Sequence, residues 1–252
     1  SAPGIYTYTV AGTAPCGNAI STVNVTVNAE AHAGSDASQS VCSTGAVLNM
    51  FPLLGGTAQT GGTWTVQSTG APHAATFSPT TDVTDVFAYT VQGLLGCAND
   101  VAFVSITLNQ APNAGFNGLI TVCDSDDPFQ LVNQLNGSPQ LNGTWVNPSS
   151  VTHTGIYVPG VNPPGVYTYT VAGVAPCANA TAQVTVIQNA APDAGENGVI
   201  SVCSNNAAFQ LFDELSGTPG PGGNWTGPSG SPVGSTFTPG ISTPGVYEYR
   251  IQ

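Results

Sequence analysis

The run GVYTYTV at residues 165–171 is written four times along the chain. It returns as GIYTYTV at 4–10, DVFAYTV at 85–91 and GVYEYRI at 245–251. Tyr8, Tyr89, Tyr169 and Tyr249 consequently stand 81, 80 and 80 residues apart, and Trp64, Trp145 and Trp225 are separated by 81 and 80. The cysteines at 16, 42, 97, 123, 177 and 203 leave gaps of 26, 55, 26, 54 and 26. Three residue types share one period. A chain of this kind is a tandem array in which each period is one folding unit.

One period can be followed from 110 to 188. QAPNAG leads into LITVC, FQLVNQLNG, GTWV, GIYVPG, GVYTYTV and AQVTVIQ. Short β-branched and aromatic runs divided by Gly, Pro and Asn clusters predict an all-β fold of tandem immunoglobulin-like sandwiches, each about 80 residues, arranged end to end. FQLVNQL, with its counterpart FQLFDEL at 209–215, reads as either a turn of helix or a strand. On this period 1–28 is the C-terminal part of one repeat, 29–109 and 110–188 are complete, and 189–252 lacks its last strand.

Composition narrows the partners. The single basic residue, Arg250, stands against 13 acidic ones for a net charge of -12. Nothing is available to neutralise phosphates, so no nucleic-acid partner is expected, and anionic membrane surfaces are disfavoured. No run reaches the roughly 18 apolar residues of a membrane-spanning helix, and no membrane insertion is expected. With 6% charged but 41% hydrophobic residues, the chain has a surface of Thr, Ser, Asn and Gly, which suits an extracellular protein. It opens and closes on strand patterns, with no secretory leader, and reads as part of something longer.

Alternation along 165–171 places Tyr167, Tyr169 and Val171 on one face and Val166, Thr168 and Thr170 on the other. In the second repeat the first face is Phe87, Tyr89 and Val91, so the hydroxyl at the first aromatic position is dispensable. Tyr8, Tyr89, Tyr167, Tyr169 and Tyr249 are therefore read as core residues and not as catalytic groups. The Gly-x-Tyr start resembles the tyrosine corner of immunoglobulin-like sandwiches, in which the hydroxyl bonds back to the preceding corner. Trp64, Trp145 and Trp225, each delivered by GGT, NGT or GGN, are read as the core tryptophans.

Six periodic cysteines without C-x-x-C pairs point to disulfides in an oxidising compartment. Two pairings compete. Pairing within repeats gives Cys42–Cys97 and Cys123–Cys177, leaving Cys16 and Cys203 to partners outside residues 1–252. Pairing across joints gives 16–42, 97–123 and 177–203. The first is favoured, because cross-joint partners in an end-to-end stack lie at opposite ends of a domain, beyond the ~7 Å Cα limit. Zinc is not expected: His32, His73 and His153 are read as falling out of register.

Asp124, Asp126 and Asp127 in CDSDDP are the best calcium candidates. The equivalent stretches, CSTGAV and CSNNAA, carry no acid, so a solvated loop is the preferred reading and no metal is assigned. Sequons begin at Asn24, Asn136, Asn142, Asn179 and Asn224. There is no lysine, no nucleophile motif near a histidine and no phosphate-cradling loop before a helix. Neither catalytic residues nor cofactors are expected.

The combination APDAGENGVISVC, FQLFDELSGTP, GGNWTGPSG and FTPGISTPGVYEY, with APCANATAQVTV in the preceding repeat, resembles the immunoglobulin- or PKD-like repeats of giant Bacteroidota surface proteins. That resemblance covers essentially the whole chain and implies type IX secretion, a cell-surface location and a role in adhesion or filament building. The expected function is a stalk or filament segment that extends a binding tip and bears load; the alternative is repeats that themselves bind glycans or neighbouring chains. The partners implied are other repeats of the same chain, identical chains in a filament, and surface glycans or other cells reached through other regions.

Overall fold

The computed structural model describes residues 2–251, which fall into two compact units. One comprises the described residues up to Gly115 with Gly137–Thr144 and Tyr169–Ala182; the other comprises Phe116–Asn136, Trp145–Thr168 and the described residues from Gln183 on. No helix among the described residues is long and apolar enough to cross a membrane.

The first unit opens with a hairpin of β1 (Gly4–Val10) and β2 (Ala19–Val25), paired antiparallel. Next come β3 (Ala37–Cys42), β4 (Leu48–Asn49), β5 (Thr63–Val66), β6 (Pro72–His73), β7 (Thr76–Phe77), β8 (Asp85–Val91) and β9 (Asp100–Asn109). Five of them form a sheet in the order β3-β9-β8-β5-β6, and β4 pairs with β7 in a second, two-stranded sheet. The edge strand β3 runs parallel to β9, while the other pairs in the large sheet are antiparallel. Parallel neighbours need a long crossover, and here the whole of β4 to β8 supplies it.

Alternation explains what lies between the sheets. On β9, Ala102, Val104 and Ile106 are buried; on β8, Phe87, Tyr89 and Val91 are. They meet Trp64 from β5, Phe77 from β7, and Met50 and Leu54 flanking the 3-10 turn Phe51–Leu53. Phe77 meets Phe87 edge-on at 5.7 Å, and Phe51 meets Tyr89 edge-on at 5.5 Å, the arrangement the ring quadrupole favours. This is an immunoglobulin-like sandwich with one core.

In the chain order that follows are β10 (Gly118–Cys123), β11 (Phe129–Gln130), β12 (Thr144–Val146), β13 (Thr152–His153), β14 (Ile156–Tyr157), β15 (Gly165–Val171) and β16 (Ala180–Asn189). Then come β17 (Phe209–Gln210), β18 (Asn224–Thr226), β19 (Pro232–Val233), β20 (Thr236–Phe237) and β21 (Glu248–Arg250). Where the same strands form, their pairings repeat those above in register. β10 runs parallel to β16 with Cys123 opposite Asn189, as Cys42 is opposite Asn109. Trp145 faces His153 as Trp64 faces His73, and Phe129 faces Tyr157 as Leu48 faces Phe77. Leu131, Trp145, Tyr157, Tyr167, Val184 and Val186 are buried. The fold is all-β, in tandem immunoglobulin-like sandwiches. FQLVNQL is both of the things it resembles: a two-residue strand running into the 3-10 turn Leu131–Gln134.

Two expectations are corrected. Tyr8 is not a core residue. It is 71% exposed, because β1 pairs only with β2 and no second sheet covers that hairpin among the described residues. His73 and His153 do recur in register. Each faces a core tryptophan across a two-strand ladder and packs its ring at an angle against an aromatic of the strand beyond, Phe87 at 4.6 Å and Tyr167 at 5.0 Å. The third equivalent is Val233, opposite Trp225, so the position asks for a side chain that packs and not for a ligand.

Candidate functional site

The repeated tyrosines are held by two different devices. The first aromatic of the strand closes a corner: Tyr167 Oη donates to Pro163 O at 2.8 Å, Tyr6 to Ala2 O at 2.5 Å and Tyr247 to Thr243 O at 2.8 Å. Each reaches back four residues. Phe87 fills the same place without that bond. Burial pushes the Tyr167 phenol up to about 12, with the Tyr157 ring 5.6 Å away adding charge repulsion; burial raises Tyr157 as well.

The second tyrosine is a two-way clamp. Tyr89 Oη donates to Gln59 O at 2.6 Å and accepts from Gly62 N at 2.9 Å. Tyr169 does the same with Gln140 at 2.5 Å and Gly143 at 2.8 Å, and Tyr249 with Gly220 and Gly223, both at 2.7 Å. The glycine before each tryptophan strand is required by this approach. A Cβ on Gly62, Gly143 or Gly223 would lie 2.6, 2.4 or 2.6 Å from the tyrosine ring. The turn therefore fixes the strand that carries the tryptophan, and Trp64 and Trp225 pack on their tyrosines at 4.9 and 5.1 Å. Hydroxyls bonded on both sides to backbone are structural groups.

The cysteines form the feature with the clearest mechanical consequence. Cys42 is bonded to Cys177, with an S–S distance of 1.97 Å, Cα atoms 5.0 Å apart and 135 residues between them in sequence. Neither expected within-repeat bridge, 42–97 or 123–177, is formed, nor is any cross-joint pair. The bridge ties a cysteine of period 29–109 to one of period 110–188. Its surroundings show why. Cys42 ends β3 opposite Asn109, the end of the parallel strand β9. Ser43 N donates to Asn109 O at 2.8 Å, and Ala111 N to Ser43 Oγ at 2.9 Å, which fixes the chain leaving β9. Asn109 Nδ2 then donates to Ala175 O at 2.7 Å, and Cys177 Sγ lies 3.4 Å from Asn109 O. The loop carrying Cys177 is thereby seated where β3 and β9 end together, so the sulfurs meet.

That loop has the same internal bonds whether or not its cysteine is bridged. Gly173 N donates to Asn179 Oδ1 at 3.0 Å and Cys177 N to Val174 O at 2.9 Å. Gly93 with Asn99 and Gly12 with Asn18 make the same bonds at 3.0 and 3.1 Å. A Cβ on Gly12, Gly93 or Gly173 would meet a loop carbonyl at 2.3, 2.3 or 2.5 Å. The Gly-to-Asn spacing around Cys16, Cys97 and Cys177, with Asn28, Asn109 and Asn189 at the same period, was the signal in the sequence that the joint is a repeated structure.

Two of the three acidic candidates, Asp124 and Asp126, act as caps. Asp126 Oδ2 accepts from Cys123 N and Asp124 Oδ1 from Ala191 N, both at 2.8 Å. No group of three or more His, Cys, Asp or Glu side chains that could hold a metal occurs among the described residues. Asp85, the first residue of β8, is held below the usual carboxylate range by the Ser68 hydroxyl and the Val86 amide.

No protein-family model matches the chain, and none of the curated proteins compared with it does. Among solved structures it is similar to a three-immunoglobulin-domain fragment of the titin I-band, at 11% identity and a TM-score of 0.48 over 74% of this chain and 75% of that one. A Glu-to-Ala mutated variant of the same titin domains gives 11% identity and a TM-score of 0.47 over the same shares. At this identity and these scores the likeness adds nothing to what the strand pairing already establishes.

Proposed function

We propose that the chain is a load-bearing stalk or filament segment of a very large secreted or cell-surface adhesin, of the kind its repeats resemble in the Bacteroidota, with 29–109, 110–188 and 189–252 as successive immunoglobulin-like domains. One observation supports this most: a covalent bridge joins consecutive sequence repeats, where a bridge within each repeat would stabilise single domains and leave the joint free to swing. Closing a loop of that size limits the unfolded ensemble by about 4–5 kcal/mol in the chain-entropy account. Disulfides persist in oxidising surroundings, in keeping with an extracellular location, and a surface almost without cations suits a spacer that must not stick to anionic polymers. The binding tip, and any glycan or cell it recognises, belong to other regions.

The test is to coat beads with the chain and present them to glycan arrays and host-cell matrix. A stalk gives no saturable retention, oxidised or reduced. Saturable retention that survives salt would assign adhesion to the repeats themselves.

A further inference from the structure

We infer that Cys97 and Cys123 are each one half of a further inter-repeat disulfide of the Cys42–Cys177 kind, shaped for a cysteine of an adjoining repeat and not for each other. This inference goes beyond the stalk reading and does not depend on what the repeats bind.

Cys123 reproduces the strand-end half. It lies opposite Asn189 as Cys42 lies opposite Asn109. Asp124 N donates to Asn189 O at 2.9 Å, where Ser43 N donates to Asn109 O at 2.8 Å. Ala191 N donates to Asp124 Oδ1 at 2.8 Å, where Ala111 N donates to Ser43 Oγ at 2.9 Å. A carboxylate stands where a hydroxyl stands in the other repeat and makes the same bond. Here the acid of CDSDDP has a role: it shapes the exit from the strand.

Cys97 reproduces the loop half. Asn28 Nδ2 donates to Leu95 O at 2.8 Å, matching Asn109 Nδ2 to Ala175 O at 2.7 Å. Its Sγ lies 3.8 and 3.7 Å from Asn28 O and Ala29 O, as Cys177 Sγ lies 3.4 Å from Asn109 O. The Gly93–Asn99 and Cys97–Leu94 bonds copy those of the bridged loop. Each thiol is thus presented in the geometry that, at Cys42 and Cys177, ends in a disulfide. The rule that follows is directional. The strand-end cysteine of one repeat bonds to the loop cysteine of the next, so a run of repeats becomes a ladder of overlapping covalent loops. By the same rule Cys16 is a loop half and Cys203 a strand-end half.

The chemistry needs an oxidant, a low-molecular-weight disulfide or a disulfide-bearing oxidoreductase. Two protein thiols lose two protons and two electrons and form one S–S bond, while the oxidant's S–S bond is reduced to two thiols.

The experiment appends a copy of residues 173–191 after Gln252, in register with Ala172, so that a loop cysteine follows the third repeat. The extended chain is equilibrated with oxidised and reduced glutathione, alkylated and mapped by mass spectrometry without reduction. The expected result is a peptide joining Cys123 to the appended cysteine, with Cys16, Cys97 and Cys203 still alkylated. Alkylated Cys123 in an extended chain whose Gly198–Cys203 amides have gained exchange protection would overturn the inference. The unextended chain supplies an independent arm in the same buffer: Cys97 and Cys123 are expected to stay alkylatable, and a Cys97–Cys123 bridge there refutes the rule whether or not the extended chain folds.

Discussion

Residues 31–109 and 189–251 carry the same sequence pattern, yet only the first has a closed core. In the first, twelve buried residues form one cluster; in the second the cluster is Leu211, Trp225 and Phe237, edged by half-buried Tyr247 and Tyr249. The difference lies in one partner strand. Ala37–Cys42 is a strand because β9 runs beside it. Gly198–Cys203 has no such partner among the described residues and forms no strand, with Val199 98% exposed. The hairpin β1–β2 is the complementary case. Ser21, Val23 and Val25 occupy the positions of Ala102, Val104 and Ile106, by the shared register Val10 to Ala19 and Val91 to Asp100, yet Val23 is 63% exposed. Alternation says which face is apolar; burial requires something to cover it.

The comparison can be broken most forcefully at the tyrosine clamp. Gly62→Ala drives a methyl into the Tyr89 ring and a strand carbonyl in a closed sandwich, and a loss of about 3 kcal/mol or more is expected from overpacking. Gly223→Ala makes the same collision, but among the described residues β21 pairs only with β18 and can shift, so roughly half that loss is expected. Chemical denaturation of both variants, followed by tryptophan fluorescence, checks the ratio. Equal losses would mean that the terminal repeat is as rigid as the complete one.

A smaller contrast is expected at paired valines. Val104→Ala empties a fully buried site and should cost about 2 kcal/mol, whereas Val23→Ala should stay within about 0.5 kcal/mol. Urea midpoints read both. A large cost at Val23 would show that the hairpin is covered in solution.

Position 87/167 gives a contrast in pH. The folded pKa of Tyr167, about 12, is above the ordinary value of 10.0, so the unfolded chain loses this proton first as pH rises. The stabilisation is complete below about pH 10 and is lost between there and about pH 12. Phe87 has no proton to lose. Tyr167→Phe should flatten that alkaline loss in a thermal melt series while costing about 1 kcal/mol or less at neutral pH, the net worth of the corner bond to Pro163. An unchanged alkaline profile would place the effect elsewhere.

Much of this architecture is legible in the sequence, for reasons that are local. The inward parity of Tyr167, Tyr169 and Val171 follows from the pleat. The burial of Trp64, Trp145 and Trp225, all 6% exposed, follows from glycines that admit a ring. The cysteine pairing is not local. Gaps of 26 and about 55 fit several connectivities equally, and the choice depends on where the Gly173–Asn179 loop meets the ends of β3 and β9. The choice between pairing within repeats and pairing across joints failed because neither contains Cys42–Cys177: the parallel pair β3–β9 brings Cys42 to the end from which the chain leaves toward the next repeat. The register of His73 and His153 was readable from their separation of 80 and marks a packing site beside each core tryptophan.

The central claim is that the bridge spans two repeats, and force spectroscopy on the chain held by its termini addresses it most directly. With Cys42 bonded to Cys177, 135 residues are shielded from tension, so oxidation should shorten the fully extended length by one loss of roughly 470 Å, at about 3.5 Å per residue. Reduction should restore it in a single step. Two separate losses of roughly 190 Å each, at the same ~3.5 Å per residue, would instead mean bridges within repeats and would contradict the account.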